Sequence, residues 1–244
     1  MKSITEPNPF KALIIKNFRS GRPSGDMMVK SFSDNICLAK PNAQIDVFGA
    51  ADGEAIPDPL EYDFIVLSGG TVNLLEDEKP AWTVSVLDLI RKVAQQDKTK
   101  LLGICWGHQA THYALGGQLA VLDYGPLIGV QQIQLNEDGQ KFFGTESLAL
   151  HKYHKRVVST PTPDFIALAD NNEIFITKSR KIMSFQGHPE LSYQIAKAMM
   201  ETDDGSYQPP ANVPKSDTAL KIQDISASQD GKKVWVNIMK WATS

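Results

Sequence analysis

Two short stretches hold residue types that can do covalent chemistry. In the first, Leu101-Leu102-Gly103-Ile104-Cys105-Trp106-Gly107-His108-Gln109, a cysteine stands inside G-x-C-x-G. Glycines at 103 and 107 permit a bend from strand to helix in which β-carbons would clash. Such an elbow lifts the Cys105 sulfur to the carboxyl edge of a sheet and to a helix N-terminus, whose partial positive charge favours the nucleophilic thiolate. A buried structural cysteine can also follow a strand, so the elbow alone does not decide. The second stretch, Ser184-Phe185-Gln186-Gly187-His188-Pro189-Glu190, sets a histidine and a carboxylate on either side of a proline. Pro189 has a fixed φ and limits how its neighbours project, which suits a carboxylate holding an imidazole in one tautomer. A surface turn is the plain alternative. A nucleophile, a base and an orienting acid work by geometry, not chain order, so a folded sheet has to bring positions 105 and 188 together.

The elements that would do so are legible as hydrophobic patterns. Lys11 to Phe18, Gln44 to Phe48, Asp63 to Leu67 and Lys100 to Ile104 read as strands, and the third is apolar throughout, as a strand covered on both faces should be. Between them, residues 26 to 39 place Met28, Phe32, Ile36 and Ala39 at helical spacing, and residues 81 to 94 do the same with Trp82, Val86, Leu89, Ile90 and Val93. Trp106 to Leu115 forms a further helix, closed by Gly116-Gly117. This alternation predicts an α/β fold with a mostly parallel central sheet flanked by helices on both faces. From Gln118 to Glu190 the segments shorten: Leu119 to Leu122, Gly129 to Leu135, Arg156 to Thr160, Phe165 to Ala169, Ile174 to Thr177 and Ile182 to Gln186 read as antiparallel strands appended to that sheet. Leu191 to Thr202 is a helix, Ser206 to Asp217 a proline-rich surface loop, and Lys232 to Ala242 a last helix with Val234, Ile238 and Trp241 against the body. Trp235, Met239 and Trp241 are expected in the core, as is Cys37 inside the first helix.

Composition narrows the partners. The 244 residues carry 25 Lys+Arg against 28 Asp+Glu, a net charge of -3, so the basic footprint of a nucleic-acid binder is missing. Two cysteines are too few for a disulfide framework, Met1 to Phe10 has no apolar signal core, and no stretch reaches the length of a membrane span. The expectation is one domain over residues 1–244, with its core at about 11–202, cytosolic, bound neither to membrane nor to nucleic acid, and acting on a small molecule.

Together the two motifs resemble the class I, or triad, glutamine amidotransferases, whose elbow reads G-x-C-x-G-H-Q and whose later motif is H-P-E. Here they stand as Gly103-Ile104-Cys105-Trp106-Gly107-His108-Gln109 and His188-Pro189-Glu190, in the family's order. The resemblance implies a flavodoxin-like sheet, Cys105 as nucleophile, His188 as general base and acid, and Glu190 as the residue that orients His188. It also implies an oxyanion hole from the backbone N–H groups of Gly70 and Trp106, and a substrate pocket lined by Gln109, Tyr153 and His154. His108 is expected to pack or hydrogen-bond within the elbow. The implied reaction is hydrolysis of a γ-glutamyl amide, glutamine or a γ-glutamyl conjugate, through a γ-glutamyl thioester on Cys105. It needs no metal and no organic cofactor. A metal bound by His151 and His154 is the competing idea, short of further ligands nearby. Ser68-Gly69-Gly70, where a proline often leads the glycines, and Tyr124-Gly125-Pro126 depart from many members and bear on which substrate fits.

No phosphate-binding G-x-x-x-x-G-K-[ST] accompanies these motifs. Two fates for the released amine follow: a freestanding γ-glutamyl hydrolase, which is preferred, or a glutaminase subunit that passes ammonia to a separate synthetase. A non-catalytic regulatory relative is the contrasting class. A cysteine hydrolase of the dienelactone type would carry an aspartate between nucleophile and histidine in place of Glu190.

Overall fold

The computed structural model describes residues 9–203, Tyr207 and residues 224–244. Its centre is a seven-stranded sheet. The apolar runs that require cover on both faces form β1 (Lys11–Asn17), β3 (Phe64–Gly70) and β4 (Lys100–Ile104), and with the largely exposed edge strand β2 (Gln44–Gly49) they pair in parallel in the order β2-β1-β3-β4. Side chains alternate across the sheet with the two-residue period of a strand. Ala12, Ile14, Phe64, Val66, Leu102 and Ile104 enter one hydrophobic core, while Leu13, Ile15, Ile65, Leu67 and Leu101 enter the other.

Each core is roofed by helices. α1 (Pro23–Ala39) places Met28, Phe32 and Ile36 in the first, and α2 (Ala81–Ala94) places Val86, Leu89, Ile90 and Val93 in the second, joined there by α3 (Trp106–Ala114). Full burial of one such side chain contributes about 1.5–3 kcal/mol. α1 begins at Pro23, earlier than its periodicity predicts, because a proline at the first helical position gives up only an N–H that has no intrahelical partner anyway. Ala39, at its last turn, is exposed. Cys37 is also exposed and not a core residue, since one step beyond Ile36 turns it about 100° away from the buried stripe.

After Gly117 the chain departs from the expected pattern. β5 (Gln118–Val121) pairs with β8 (Arg156–Thr160), and β6 (Leu127–Gln134) with β7 (Ser147–His154), in two separate antiparallel pairs not appended to the main sheet. β7 and the short helix α4 (Glu137–Phe143) were not foreseen. Only β9 (Phe165–Ala167) and β10 (Ile174–Thr177) extend the main sheet in antiparallel fashion. β11 (Ile182–Phe185) is parallel to β4 and adjacent to it.

α5 (Tyr193–Glu201) starts at Ser192, whose side chain accepts the Ile195 N–H. The last helix, α6 (Gly231–Ala242), buries Val234, Trp235, Ile238, Met239 and Trp241 against the same face as α1, with the rings of Phe32 and Trp235 6.0 Å apart. Most of the expected loop 206–217 lies outside the described residues. The result is the expected architecture, a mostly parallel sheet between two helical layers with small antiparallel sheets added.

Candidate active site

The register of β4 and β11 decides where the two motifs meet. Gly103 lies opposite Ser184 and Ile104 opposite Phe185, and the Cys105 N–H donates to the Phe185 carbonyl at 2.8 Å. Cys105 and the segment 186–188 therefore leave the sheet side by side at its carboxyl edge, where α/β folds bind ligands.

At Cys105 the strand turns into α3 with φ 51° and ψ −101°. Positive φ in a residue with a β-carbon is strained and persists only where the surroundings enforce it. The surroundings here are two backbone approaches. A β-carbon at Gly103 would lie 2.6 Å from the Gly107 carbonyl oxygen, and one at Gly107 would lie 2.5 Å from the Leu67 carbonyl oxygen. Both glycines let α3 lie directly on β3 and β4.

His188 is buried, 2% exposed, and its Nδ1 is 2.7 Å from Glu190 Oε1. Its backbone N–H donates to the His151 carbonyl on β7 at 2.8 Å. Burial, the largest single effect, pushes its pKa down, but the Glu190 carboxylate and the neighbouring Cys105 sulfur outweigh it and raise it to about 10. The sulfur lies beside the ring without hydrogen-bond alignment: the thiol points to the Tyr153 carbonyl at 3.8 Å, and His188 Nε2 has no hydrogen-bond partner among the described residues. Such pairs often tighten only when substrate binds.

Gly69 and Gly70 end β3 against this pair. A β-carbon at Gly69 would stand 3.3 Å from His188 Cε1 and 3.8 Å from Cys105 Cβ, and one at Gly70 would lie 2.5 Å from the Asn17 carbonyl oxygen and 3.1 Å from Trp106 Cγ. Ser68 is fully buried and fastens this turn: its Oγ accepts the Asn17 N–H at 2.9 Å and its carbonyl accepts Asn17 Nδ2 at 2.9 Å. Trp106 clamps the following loop by donating Nε1 to the Val72 carbonyl at 3.0 Å, and its backbone N–H belongs to the first turn of α3, where amides lack intrahelical partners.

The three residues expected to line a pocket fare differently. Tyr153 is beside Cys105 through its carbonyl, and its ring packs on that of Tyr207 with centroids 4.4 Å apart. His154 is 2% exposed, on strand β7, and its Nδ1 is 3.1 Å from the Arg156 carbonyl; burial holds its pKa well below the usual imidazole range. Gln109 is 4% exposed and its Nε2 donates to the Arg156 carbonyl at 2.8 Å and to Gln186 Oε1 at 3.1 Å, so its amide hydrogens brace protein groups. His108 is buried in the elbow, with Nδ1 2.9 Å from Ser184 Oγ. Among the described residues no group of three or more His, Cys, Asp or Glu is placed to hold a metal.

Two features went unread in the sequence. His151 supplies the carbonyl that holds His188, and Lys152, fully buried, is ion-paired to Glu173. The available signal was a lysine in Leu148-Ala149-Leu150-His151-Lys152-Tyr153-His154, whose run of polar side chains conceals a strand buried from Leu148 to its end.

A family model described as glutamine amidotransferase class-I matches residues 28–204. The chain belongs to this family. The glutamine amidotransferase-like protein chry6 of Gibberella zeae is 37% identical over 235 residues, covering 96% of this chain and 95% of the relative. Gamma-glutamyl peptidase 2 of Arabidopsis thaliana is 31% identical over 180 residues, covering 70% of this chain and 68% of the relative. Among solved structures, a glutamine amidotransferase from Thermotoga maritima superposes with a TM-score of 0.71 at 20% identity, covering 96% of this chain and 99% of the other, which bears on the fold alone. No helix among the described residues is long and apolar enough to cross a membrane.

Proposed function

We propose that this class I glutamine amidotransferase domain hydrolyses γ-glutamyl amide bonds, in glutamine or in a γ-glutamyl peptide or conjugate, with Cys105 as nucleophile. The observation that carries the proposal is the pairing of His188 with Glu190 at 2.7 Å beside a cysteine held at φ 51°. An imidazolium next to a sulfur at a helix N-terminus is the setting a thiolate nucleophile needs. The relatives named γ-glutamyl peptidase support the substrate class.

The sulfur of Cys105 bonds to the γ-carbonyl carbon and the carbonyl oxygen takes up the electron pair, stabilised by the backbone N–H groups of Gly70 and Trp106. As the carbonyl re-forms, the C–N bond breaks and His188 gives its proton to the departing amine. Water then adds to the thioester, passing a proton to His188, and the C–S bond breaks to release the γ-carboxylate. Glu190 keeps the imidazole oriented throughout and does not itself change protonation. The amine leaves free, as in a freestanding hydrolase; delivery of ammonia to a synthetase subunit is the alternative. The substrate and any partner are small molecule and protein respectively, with no part for nucleic acid, membrane, metal or organic cofactor, and the cytosol is the proposed location.

A glutamine-like diazoketone is expected to add covalently to Cys105, read by peptide mass spectrometry, and Cys105→Ala is expected to remove hydrolysis. Glutamate release from glutamine is to be measured against release from γ-glutamyl peptides. An unmodified Cys105, or unchanged turnover in Cys105→Ala, sinks the proposal; inertness toward both substrates with Cys105 modified points to the subunit alternative.

A further inference from the structure

β7 touches both reacting residues through consecutive odd positions. The His151 carbonyl accepts the His188 N–H at 2.8 Å, and the Tyr153 carbonyl receives the Cys105 thiol at 3.8 Å. Between them stands Lys152, whose side chain is 1% exposed and whose ammonium meets the Glu173 carboxylate, 14% exposed. Its cross-strand neighbour in β6 is Gly129, which has no side chain of its own.

Glu173 is tied to the other side of the site. Its backbone carbonyl accepts the Gln186 N–H at 2.8 Å, two residues before His188. The Gln186 side chain in turn accepts from Gln109 on α3 at 3.1 Å. One ion pair thus cross-links the strand that holds both reacting residues to the segment that delivers His188. Burial pushes the Lys152 pKa down, and the Glu173 carboxylate and the Cys105 sulfur oppose that, so the ammonium and the sulfur are near enough to feel one another.

A buried ion pair is a poor source of stability. Removing two charges from water costs several kcal/mol per ion after relaxation, and well-packed apolar replacements are often neutral or better. What the pair supplies instead is a fixed relative position. We propose that Lys152 is a positioning residue of the active site, its ion pair with Glu173 holding the strand whose carbonyls seat Cys105 and His188. Lys152 acts through those residues and touches no substrate. The proposal rests on the reading of Cys105 as nucleophile, and its test has an arm that needs no substrate.

The test compares the full-length chain with the double variant Lys152→Met/Glu173→Leu, which removes both charges at similar volume, and with Glu173→Gln, which removes one while keeping the shape. In folded protein, kcat for γ-glutamyl hydrolysis should fall about 10- to 100-fold, the size expected from displacing a reacting pair by an ångström or less, while KM changes by less than about twofold. Independently, alkylation by iodoacetamide is followed at both cysteines by peptide mass spectrometry, with exposed Cys37 as the reference inside each molecule. The Cys105 rate relative to Cys37 should drop about fivefold or more, in keeping with the dependence of thiol reactivity on its surroundings. Unchanged kcat and an unchanged alkylation ratio in a folded variant overturn the proposal. So does a series in which activity falls only in step with the fraction of folded protein in thermal melts. If the wild-type chain hydrolyses no γ-glutamyl compound but the alkylation ratio still responds, the positioning role stands and the assigned reaction fails.

Discussion

The proposed nucleophile and its proposed base are held in different ways. Cys105 sits in a strand-turn-helix unit whose constraints lie close by in the parallel body: β4, α3 and the glycine-bearing end of β3. His188 leaves the same sheet, but its placement depends on the His151 carbonyl of β7, on Glu190 two residues along the chain and, through Gln186, on Glu173. Steric exclusion fixes one residue, and polar pairing in a low-dielectric interior fixes the other. Damage on the first side should therefore appear in stability and geometry together, and damage on the second chiefly in turnover.

The most severe test is Glu190→Gln, which keeps the shape of the base side and removes its charge. Turnover of γ-glutamyl substrate should fall by about 10⁴-fold, the scale seen when a carboxylate orienting a catalytic histidine is neutralised. The same variant tests linkage. Because folding raises the His188 pKa to about 10 from an ordinary value of about 6.5, its contribution to stability is fully present below about pH 6.5 and is lost as the pH rises through 10. Urea unfolding across that window should show a smaller loss of stability in Glu190→Gln than in wild type; identical slopes would contradict the assignment.

Next in size is Gly70→Ala, on the nucleophile side. The new β-carbon would lie 2.5 Å from the Asn17 carbonyl, the turn has to move, and loss of Gly70 as the proposed oxyanion donor is expected to cost about 10²- to 10³-fold in kcat. Gly107→Ala strikes the backbone of Leu67 and should lower unfolding free energy by about 1–3 kcal/mol while also reducing activity, which denaturant midpoints and rates measured together will show. Ser68→Ala leaves the buried Asn17 N–H without its acceptor, for a cost of about 1–3 kcal/mol. At the bottom of the scale is Lys30→Ala. Its partner Asp34 is solvent-exposed, with Lys30 Nζ to Asp34 Oδ2 at 2.7 Å, and the change should remain within about 0.5 kcal/mol.

The same division governs how far the sequence could be read. The elbow was visible because its demands are local: Gly103 and Gly107 stand within two residues of Cys105, and the surrounding runs of Ile, Leu and Val carry strand and helix periods unaided. The H-P-E motif was visible as chemistry, but its support was not. His151-Lys152-Tyr153-His154 reads as polar in the chain and is a buried strand in the fold, where Glu173 pairs with Lys152 and the His188 amide donates to the His151 carbonyl. β11 looked like another antiparallel strand because strand direction is a property of pairing and leaves no mark on composition. Cys37 was misplaced by one helical step: Ile36 holds the buried stripe and its neighbour does not. Gln109 was expected to line a pocket, and its amide hydrogens are engaged by Arg156 and Gln186, which no pattern along the chain announces.

The packing of α6 bears on how the molecule is made. Trp235 meets Phe32, Trp241 meets Phe64 edge-on with centroids 6.3 Å apart, and the Trp241 indole donates to the Arg180 carbonyl at 2.7 Å. The two ring contacts join residues separated by 203 positions (235 minus 32) and 177 positions (241 minus 64). While the ribosome is still translating that interval, one apolar face of the nascent sheet lacks part of its cover and is exposed to chaperones or to misassociation. The elbow at Cys105 can thus be in place on its strand well before the face behind it is sealed.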